Sequence, residues 1–184
     1  MMNSYAGKLL VVDLTTGSYH DEPLNERYAE QYLGGAGLAA RYLYDALEAT
    51  TDPLGPDNPL IFMSGPLDAT TAPSAGRFVV CARSPQTGLY GESNAGNFFG
   101  PDLKLAGYDG VVVRGRSAAP VYLLIRAGQV ELRDARHRAG QTTFATGDAI
   151  RAELGDPRLT VAAIGPAGEN LVKFAIILAS NPRP

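Results

Sequence analysis

Pro59-Leu60-Ile61-Phe62-Met63-Ser64-Gly65-Pro66 and Leu159-Thr160-Val161-Ala162-Ala163-Ile164-Gly165-Pro166 share one plan, a run of apolar and β-branched residues closed by Gly-Pro. Each is followed by a second apolar run. The first is Gly76-Arg77-Phe78-Val79-Val80-Cys81-Ala82-Arg83-Ser84-Pro85, and its counterpart runs from Val172-Lys173-Phe174-Ala175 through Ile176-Ile177-Leu178-Ala179-Ser180-Asn181-Pro182. Upstream of each lies the same order of strand, turn, strand and helix, with turns at Thr16-Gly17 and Ala127-Gly128. Internal self-similarity of this kind marks a fold built by duplication. The chain therefore reads as one domain, residues 1–184, with repeat one over about 7–115 and repeat two over about 120–184. After Pro85 the first copy continues through a Gly/Asn loop, a short helix at 102–106 and a strand at 110–115, and the second copy has no such ending. The second repeat is expected to be incomplete, with Pro184 an abrupt end and the chain part of a larger protein.

A chain of 184 residues with 45% hydrophobic content is long enough to bury one sizeable core. A net charge of -3 gives no electrostatic reason to expect nucleic acid, and the basic residues of 133–138 are interleaved with Asp134 and small residues. The lone cysteine, Cys81, excludes an internal disulfide and cannot supply the four thiolates of an iron-sulfur cluster. It sits in Phe78-Val79-Val80-Cys81-Ala82 and reads as a small buried hydrophobe. No apolar run approaches the roughly 18 residues of a spanning helix, and none at the start has signal-peptide character. The expected location is the cytoplasm.

Strands are expected at 8–13 and 18–22, closed by the Thr16-Gly17 turn. Asn25 is positioned to cap a helix carrying Tyr28, Tyr32 and Leu33, and Gly34-Gly35 interrupts it before a second helix at about 37–47. Leu38, Tyr42, Leu43, Ala46 and Leu47 form the apolar stripe of that helix. In the second half, hairpin strands at 121–125 and 129–133 precede a helix capped by Thr146 and ended by Gly155, then strands at 159–164 and 171–178. Strands outnumber helices and many are joined by tight turns, which favours antiparallel pairing and an α+β, β-rich fold.

Chemistry, by composition, belongs to 64–100. Glycines at 65, 76, 88, 91, 96 and 100 let backbone amides approach a phosphate or planar heterocycle, and Arg77 supplies a donor fork beside Asn94 and Asn97. The bland alternative is that these glycines only make turns. Gly34-Gly35-Ala36-Gly37 lacks the Lys and Ser/Thr of a phosphate-binding P-loop and follows a helix rather than a strand. His20 and His137 are isolated from other metal-ligating residues, and neither a Ser-His-Asp set nor paired carboxylates can be discerned.

Several motifs carry a resemblance. Ala75-Gly76-Arg77-Phe78, Ser84-Pro85-Gln86-Thr87-Gly88, Ser93-Asn94-Ala95-Gly96-Asn97-Phe98-Phe99-Gly100 and Leu103-Lys104-Leu105-Ala106-Gly107-Tyr108-Asp109-Gly110 resemble the N-terminal domain of aldehyde:ferredoxin oxidoreductases. So do Gly34-Gly35-Ala36-Gly37-Leu38-Ala39, Asp52-Pro53-Leu54 and Ile164-Gly165-Pro166-Ala167-Gly168-Glu169-Asn170-Leu171-Val172-Lys173-Phe174-Ala175, so the likeness spans nearly the whole chain in one order. It implies a two-sheet, duplicated N-terminal domain on which two pterins lie. The complete enzymes hold tungsten, sometimes molybdenum, between two pterin dithiolenes beside a 4Fe-4S cluster, oxidise aldehydes to carboxylic acids and pass electrons to ferredoxin in the cytoplasm. By this likeness Arg77, Asn94, Ala95 and Gly96 would contact pterin and its phosphate, with Asn94 near a magnesium ion that bridges the two phosphates.

The chain also departs from the pattern. In the family the segment after the strand ending at Ser180 leads into an Arg-Ala-Ala-Gly-Arg-Gly-Gly loop that supports the second pterin, whereas this sequence ends at Asn181-Pro182-Arg183-Pro184, and the helical domains with the cluster cysteines and acid-base residues are expected to lie outside it. No catalytic residue is therefore expected within this sequence. Three readings follow: the N-terminal portion of a tungsten or molybdenum oxidoreductase, a pterin-binding subunit completed by a partner chain or homodimer, or a catalytically inactive stand-alone module. A sheet lacking its last strand would also expose edge and core surface, so the isolated chain is expected to aggregate.

Overall fold

The structure, a computed structural model, describes residues 4–126 and 128–180. The expected turn residue Ala127 and the tail at 181–184 lie outside the described residues.

β1 (Lys8–Asp13) buries Leu9, Leu10, Val11 and Val12, apolar on both faces, and so takes an interior place in a sheet. It pairs antiparallel with β2 (Ser18–Pro23), as the Thr16-Gly17 turn predicts. Its other neighbour is β6 (Gly110–Arg114), and that pairing is parallel. Tight turns in the sequence do not announce such a pair, because parallel neighbours need a long crossover. Here the crossover contains β3 (Leu60–Ser64), β4 (Arg77–Arg83) and β5 (Tyr90–Gly96). The resulting six-stranded order is β2-β1-β6-β3-β4-β5, antiparallel except at β1–β6.

Two helices cover one face. α1 (Glu26–Tyr32) starts where Asn25 accepts the Tyr28 N–H at 3.1 Å, satisfying one of the unpaired amides of the first turn. α2 (Gly35–Ala46) follows and lays Leu38, Ala39 and Leu43 on Leu9, Val11, Ile61, Met63, Cys81 and Val112. Each Leu, Ile, Val or Met among them contributes roughly 1.5–3 kcal/mol when removed from water. The other face packs α3 (Phe99–Leu105) and the hairpin of β7 (Val121–Arg126) and β8 (Gln129–Asp134) through Leu103, Tyr108, Val130, Leu123 and Ile125.

The second half departs from expectation at the start of the helix expected from Thr146 and in both later strands, the one expected at 159–164 being only three residues long. α4 (Thr143–Leu154) is capped by Thr142, whose hydroxyl accepts the Ala145 N–H at 3.2 Å, while the expected cap, Thr146, already donates its N–H to the Thr142 carbonyl inside the helix. The strand expected at 171–178 contracts to β10 (Leu178–Ser180), antiparallel to β9 (Val161–Ala163). Its earlier amides are used in turns around α5 (Pro166–Glu169): Leu171 N–H donates to Gly168 O, Val172 N–H to Ala167 O and Ala175 N–H to Val172 O. Amides committed to turns cannot extend a ladder. The architecture is mixed, sheet-rich and dominated by antiparallel pairs, with helices grouped on the sheet faces. Among the described residues, no helix is long and apolar enough to cross a membrane.

Candidate functional site

The stretch expected as a Gly/Asn loop is largely strand. Tyr90–Gly96 forms β5 because β4 offers it a full ladder, from Arg83↔Tyr90 to Arg77↔Gly96. An edge strand needs a partner on one side only and tolerates Gly and Asn better than an interior one.

This ladder brings the expected residues together. Arg77 and Gly96 are direct partners, and Asn94 lies opposite Val79. Arg77 Nε donates to Asn94 Oδ1 at 2.6 Å. The three residues are exposed, and by alternation they share the sheet face on which Val79 approaches Gly35 at the start of α2. A Cβ built on Gly96 would lie 3.5 Å from Arg77 Nη1, so glycine keeps open the space beside the guanidinium. Ala95 is different. It pairs with Phe78, is half-buried and turns its side chain to the opposite face, leaving only its main chain for the site.

The phase of the ladder decides which amides are free to bind. Asn97 N–H donates to Gly76 O at 3.2 Å and Ser84 N–H to Leu89 O at 2.8 Å, bracketing the hairpin. Stepping inward by twos makes Phe78↔Ala95 and Val80↔Ser93 the hydrogen-bonded pairs, and Arg77↔Gly96 and Val79↔Asn94 the alternate ones. The N–H and C=O groups of Asn94 and Gly96 therefore point away from β4, on a strand that is the last in its sheet. Two outward amides, an Arg fork and a carboxamide converge on one open edge. That donor-rich set suits an anionic group with flat polar edges.

Behind this edge the charges are buried. Asp68, 2% exposed, accepts Gly65 N–H at 2.7 Å through Oδ2 and Arg77 N–H at 3.1 Å through Oδ1. Burial raises its carboxyl above the ordinary value, and the two amide bonds oppose the shift. Lys104 Nζ donates to Gly65 O at 2.7 Å and lies 3.6 Å from buried Asp109, and burial lowers its ammonium against the pull of that carboxylate. Asp68 is not among the residues singled out from sequence. In Pro66-Leu67-Asp68-Ala69 it reads as a turn former, and the nearest signal was its place between Gly65 and Gly76.

Other expected positions fall away from chemistry. Cys81 is buried and its thiol is pushed up to about 12, which leaves no thiolate at neutral pH. His137 is 3.6 Å from Glu153 on the surface. Among the described residues no group of three or more His, Cys, Asp or Glu is placed to hold a metal. A hard cation at the edge would rely on Asn94 Oδ1, which accepts one hydrogen bond and retains a second lone pair, together with oxygens of whatever it accompanies. Asn97 ties the second half to the site: its Nδ2 donates to Ala179 O at 3.1 Å in β10 and its Oδ1 accepts Phe99 N–H at 2.7 Å. A cleft of about 700 Å³ between Tyr19, Asp21, Tyr108 and Glu131 lies at the β2 side, the opposite edge of the sheet.

A profile of the family described as "Aldehyde ferredoxin oxidoreductase, N-terminal domain" matches residues 9–183. The tungsten-containing aldehyde ferredoxin oxidoreductase of Thermococcus kodakarensis is 46% identical over 177 residues, 96% of this chain and 29% of that protein. An aliphatic sulfonate oxidoreductase, WOR-like subunit, of Pyrococcus furiosus is 33% identical over 192 residues, again 96% of this chain and 30% of that protein. A solved structure, the active site complex BamBC of benzoyl coenzyme A reductase with 1,5-dienoyl-CoA, superposes with a TM-score of 0.94 at 44% identity, covering 96% of this chain and 27% of that one. The chain thus spans less than a third of the length of these relatives.

Proposed function

The chain belongs to the aldehyde ferredoxin oxidoreductase family through its N-terminal domain, and from that premise we propose that it is the cofactor seat of an oxidoreductase, with the exposed edge of β4 and β5 holding a phosphorylated pterin. The observation that carries this reading is the Arg77–Asn94 pair, at 2.6 Å, facing Gly96 on an edge whose outward amides are unspent on β4. Arg77 would take phosphate oxygens, the amides of Asn94 and Gly96 would meet phosphate or pterin edges, and Ala95 would contribute main chain. Asn94 would also offer its amide oxygen to a magnesium ion between phosphates. The group it seats is a tungsten, alternatively molybdenum, bis-pterin. When bound, such a group supplies two-electron oxidation chemistry at the metal, and the residues described here bind and orient it.

Relatives whose names give three different substrates, an aldehyde, an aliphatic sulfonate and a coenzyme A thioester, share this domain at 46%, 33% and 44% identity. A domain common to proteins named for such different substrates supports a role other than substrate choice, and the tungsten in the name of the Thermococcus kodakarensis relative supports a cofactor as what it holds. On this reading the whole protein would oxidise an aldehyde to a carboxylic acid in the cytoplasm, with ferredoxin as acceptor and a 4Fe-4S cluster held by residues outside this sequence. The repeated order of hairpin, helix and two strands supports a duplicated domain whose halves would each seat one pterin. A second reading, a seat completed by a partner chain, is favoured by the likeness to a component of a BamBC complex.

The test is binding of a hydroxymethylpterin monophosphate and of its phosphate-free counterpart to the chain, followed by pterin fluorescence. Wild type should prefer the phosphorylated probe and Arg77→Ala should lose that preference. Equal affinities in wild type would refute the seat.

A further inference from the structure

We propose that Asp68 is the positioning residue of this seat, holding Arg77 by its main chain so that the guanidinium stays free for phosphate. The inference rests on the cofactor-seat reading. Its ground is the way the carboxylate divides its two oxygens: one takes the N–H of Gly65, directly after β3, and the other the N–H of Arg77, the first residue of β4. Asp68 thus closes the neck of the loop at 66–76 and fixes the residue from which the guanidinium springs.

The surroundings leave that junction little freedom. A Cβ on Gly100, in the first turn of α3, would lie 2.9 Å from Arg77 O and 3.3 Å from Asp68 Oδ2, so helix, carboxylate and strand start are in close contact. Lys104, its side chain 8% exposed, holds Gly65 from the other side through its carbonyl. Asp109 in turn accepts Ala6 and Gly7 N–H at 2.9 and 2.7 Å, anchoring the far end of the network. The Arg77 N–H is shared between Asp68 Oδ1 and Ala75 O, each at 3.1 Å, and the Gly65 N–H takes the other oxygen, so the junction uses two acceptor oxygens of one side chain, which a carboxylate provides and a carboxamide does not. Had Asp68 paired with the guanidinium directly, it would compete with a phosphate. By gripping the amide it positions Arg77 without neutralising it, and the side chain takes the uncharged Asn94 as its partner.

The experiment is a double-mutant cycle of Asp68→Asn and Arg77→Ala in the full chain, with the phosphorylated and phosphate-free hydroxymethylpterins as probes. Asp68→Asn should weaken the phosphorylated probe by about tenfold or more, leave the phosphate-free probe unchanged, and add little on top of Arg77→Ala. Equal loss of both probes, or an additive cycle, overturns the inference and leaves the seat standing, because a purely structural role would not distinguish the phosphate. If wild type itself fails to prefer the phosphorylated probe, the seat fails and the inference falls with it. Should Asp68→Asn not fold, Gly100→Ala carries the same prediction, since it presses a methyl on the same junction without removing a hydrogen-bonding group. Undiminished phosphate preference in that variant overturns the inference too.

Discussion

Arg77-Phe78-Val79-Val80 and Lys173-Phe174-Ala175-Ile176 begin alike, a cation followed by Phe and an apolar run, but β4 buries Phe78 to 3% exposure while Phe174 is 78% exposed. β4 has β3 on one side and β5 on the other, so the main-chain groups of 78–81 have a ladder on each side. The segment around Phe174 has turn bonds to Ala167 and Val172 instead, and only its last residues, in β10, pair with β9. An apolar run permits a strand; a neighbouring edge makes one. The same difference places function. A basic residue at the start of a ladder flanked on both sides is held by Asp68 and faces Asn94, whereas Lys173 starts no ladder.

The comparison breaks most readily in the core. Ile61→Ala, fully buried in β3 opposite Cys81 of β4, should cost about 2–5 kcal/mol, and Ile176→Ala, 66% exposed, less than about 0.5 kcal/mol, both read by chemical denaturation. Equal costs would mean that the second run is packed after all. Next in size, Arg77→Ala should lower affinity for the pterin phosphate by roughly ten- to a hundredfold, and Lys173→Ala should leave it unchanged. A loss in Lys173→Ala would give both basic residues a phosphate.

Smaller still are the caps, one in each half. Asn25→Ala and Thr142→Ala each remove a side-chain acceptor from a helix start and should cost about 1 kcal/mol in thermal or denaturant unfolding. No effect at Thr142 would return the start of α4 toward Thr146. The smallest effect is a slope. Asp68 has its carboxyl raised by burial, so the folded state binds its proton more tightly than the unfolded state does. Its contribution is present below the ordinary carboxylate value and lost as pH rises through the raised one. Replacing it with Asn should flatten stability over that acidic window, and an unaltered slope would place the titration elsewhere.

Asn25 and the Thr16-Gly17 turn were legible because residue type and position suffice for a cap or a hairpin. Thr142 and Thr146 were not separable, since two threonines four residues apart offer the same hydroxyl and only the Ala145 amide chooses between them. β5 was hidden by its Gly and Asn content, which local propensity assigns to loops and the β4 ladder overrides. The parallel β1–β6 pair depends on a crossover that no local window contains. Composition puts Arg77, Asn94 and Gly96 in one polar, glycine-rich stretch and the resemblance gives them a pterin, but nothing in their spacing announces a shared face. Asp68 escaped because an aspartate in a turn looks the same whether it binds solvent or two buried amides.

The most direct measurement is a backbone amide chemical-shift map of the isotopically labelled chain as hydroxymethylpterin monophosphate is added. The seat described here predicts the largest changes at Arg77, Asn94 and Gly96, with the cleft lined by Tyr108 and Glu131 at the far edge of the sheet unmoved. Changes centred on that cleft, with the Arg77 and Gly96 amides still, would contradict it.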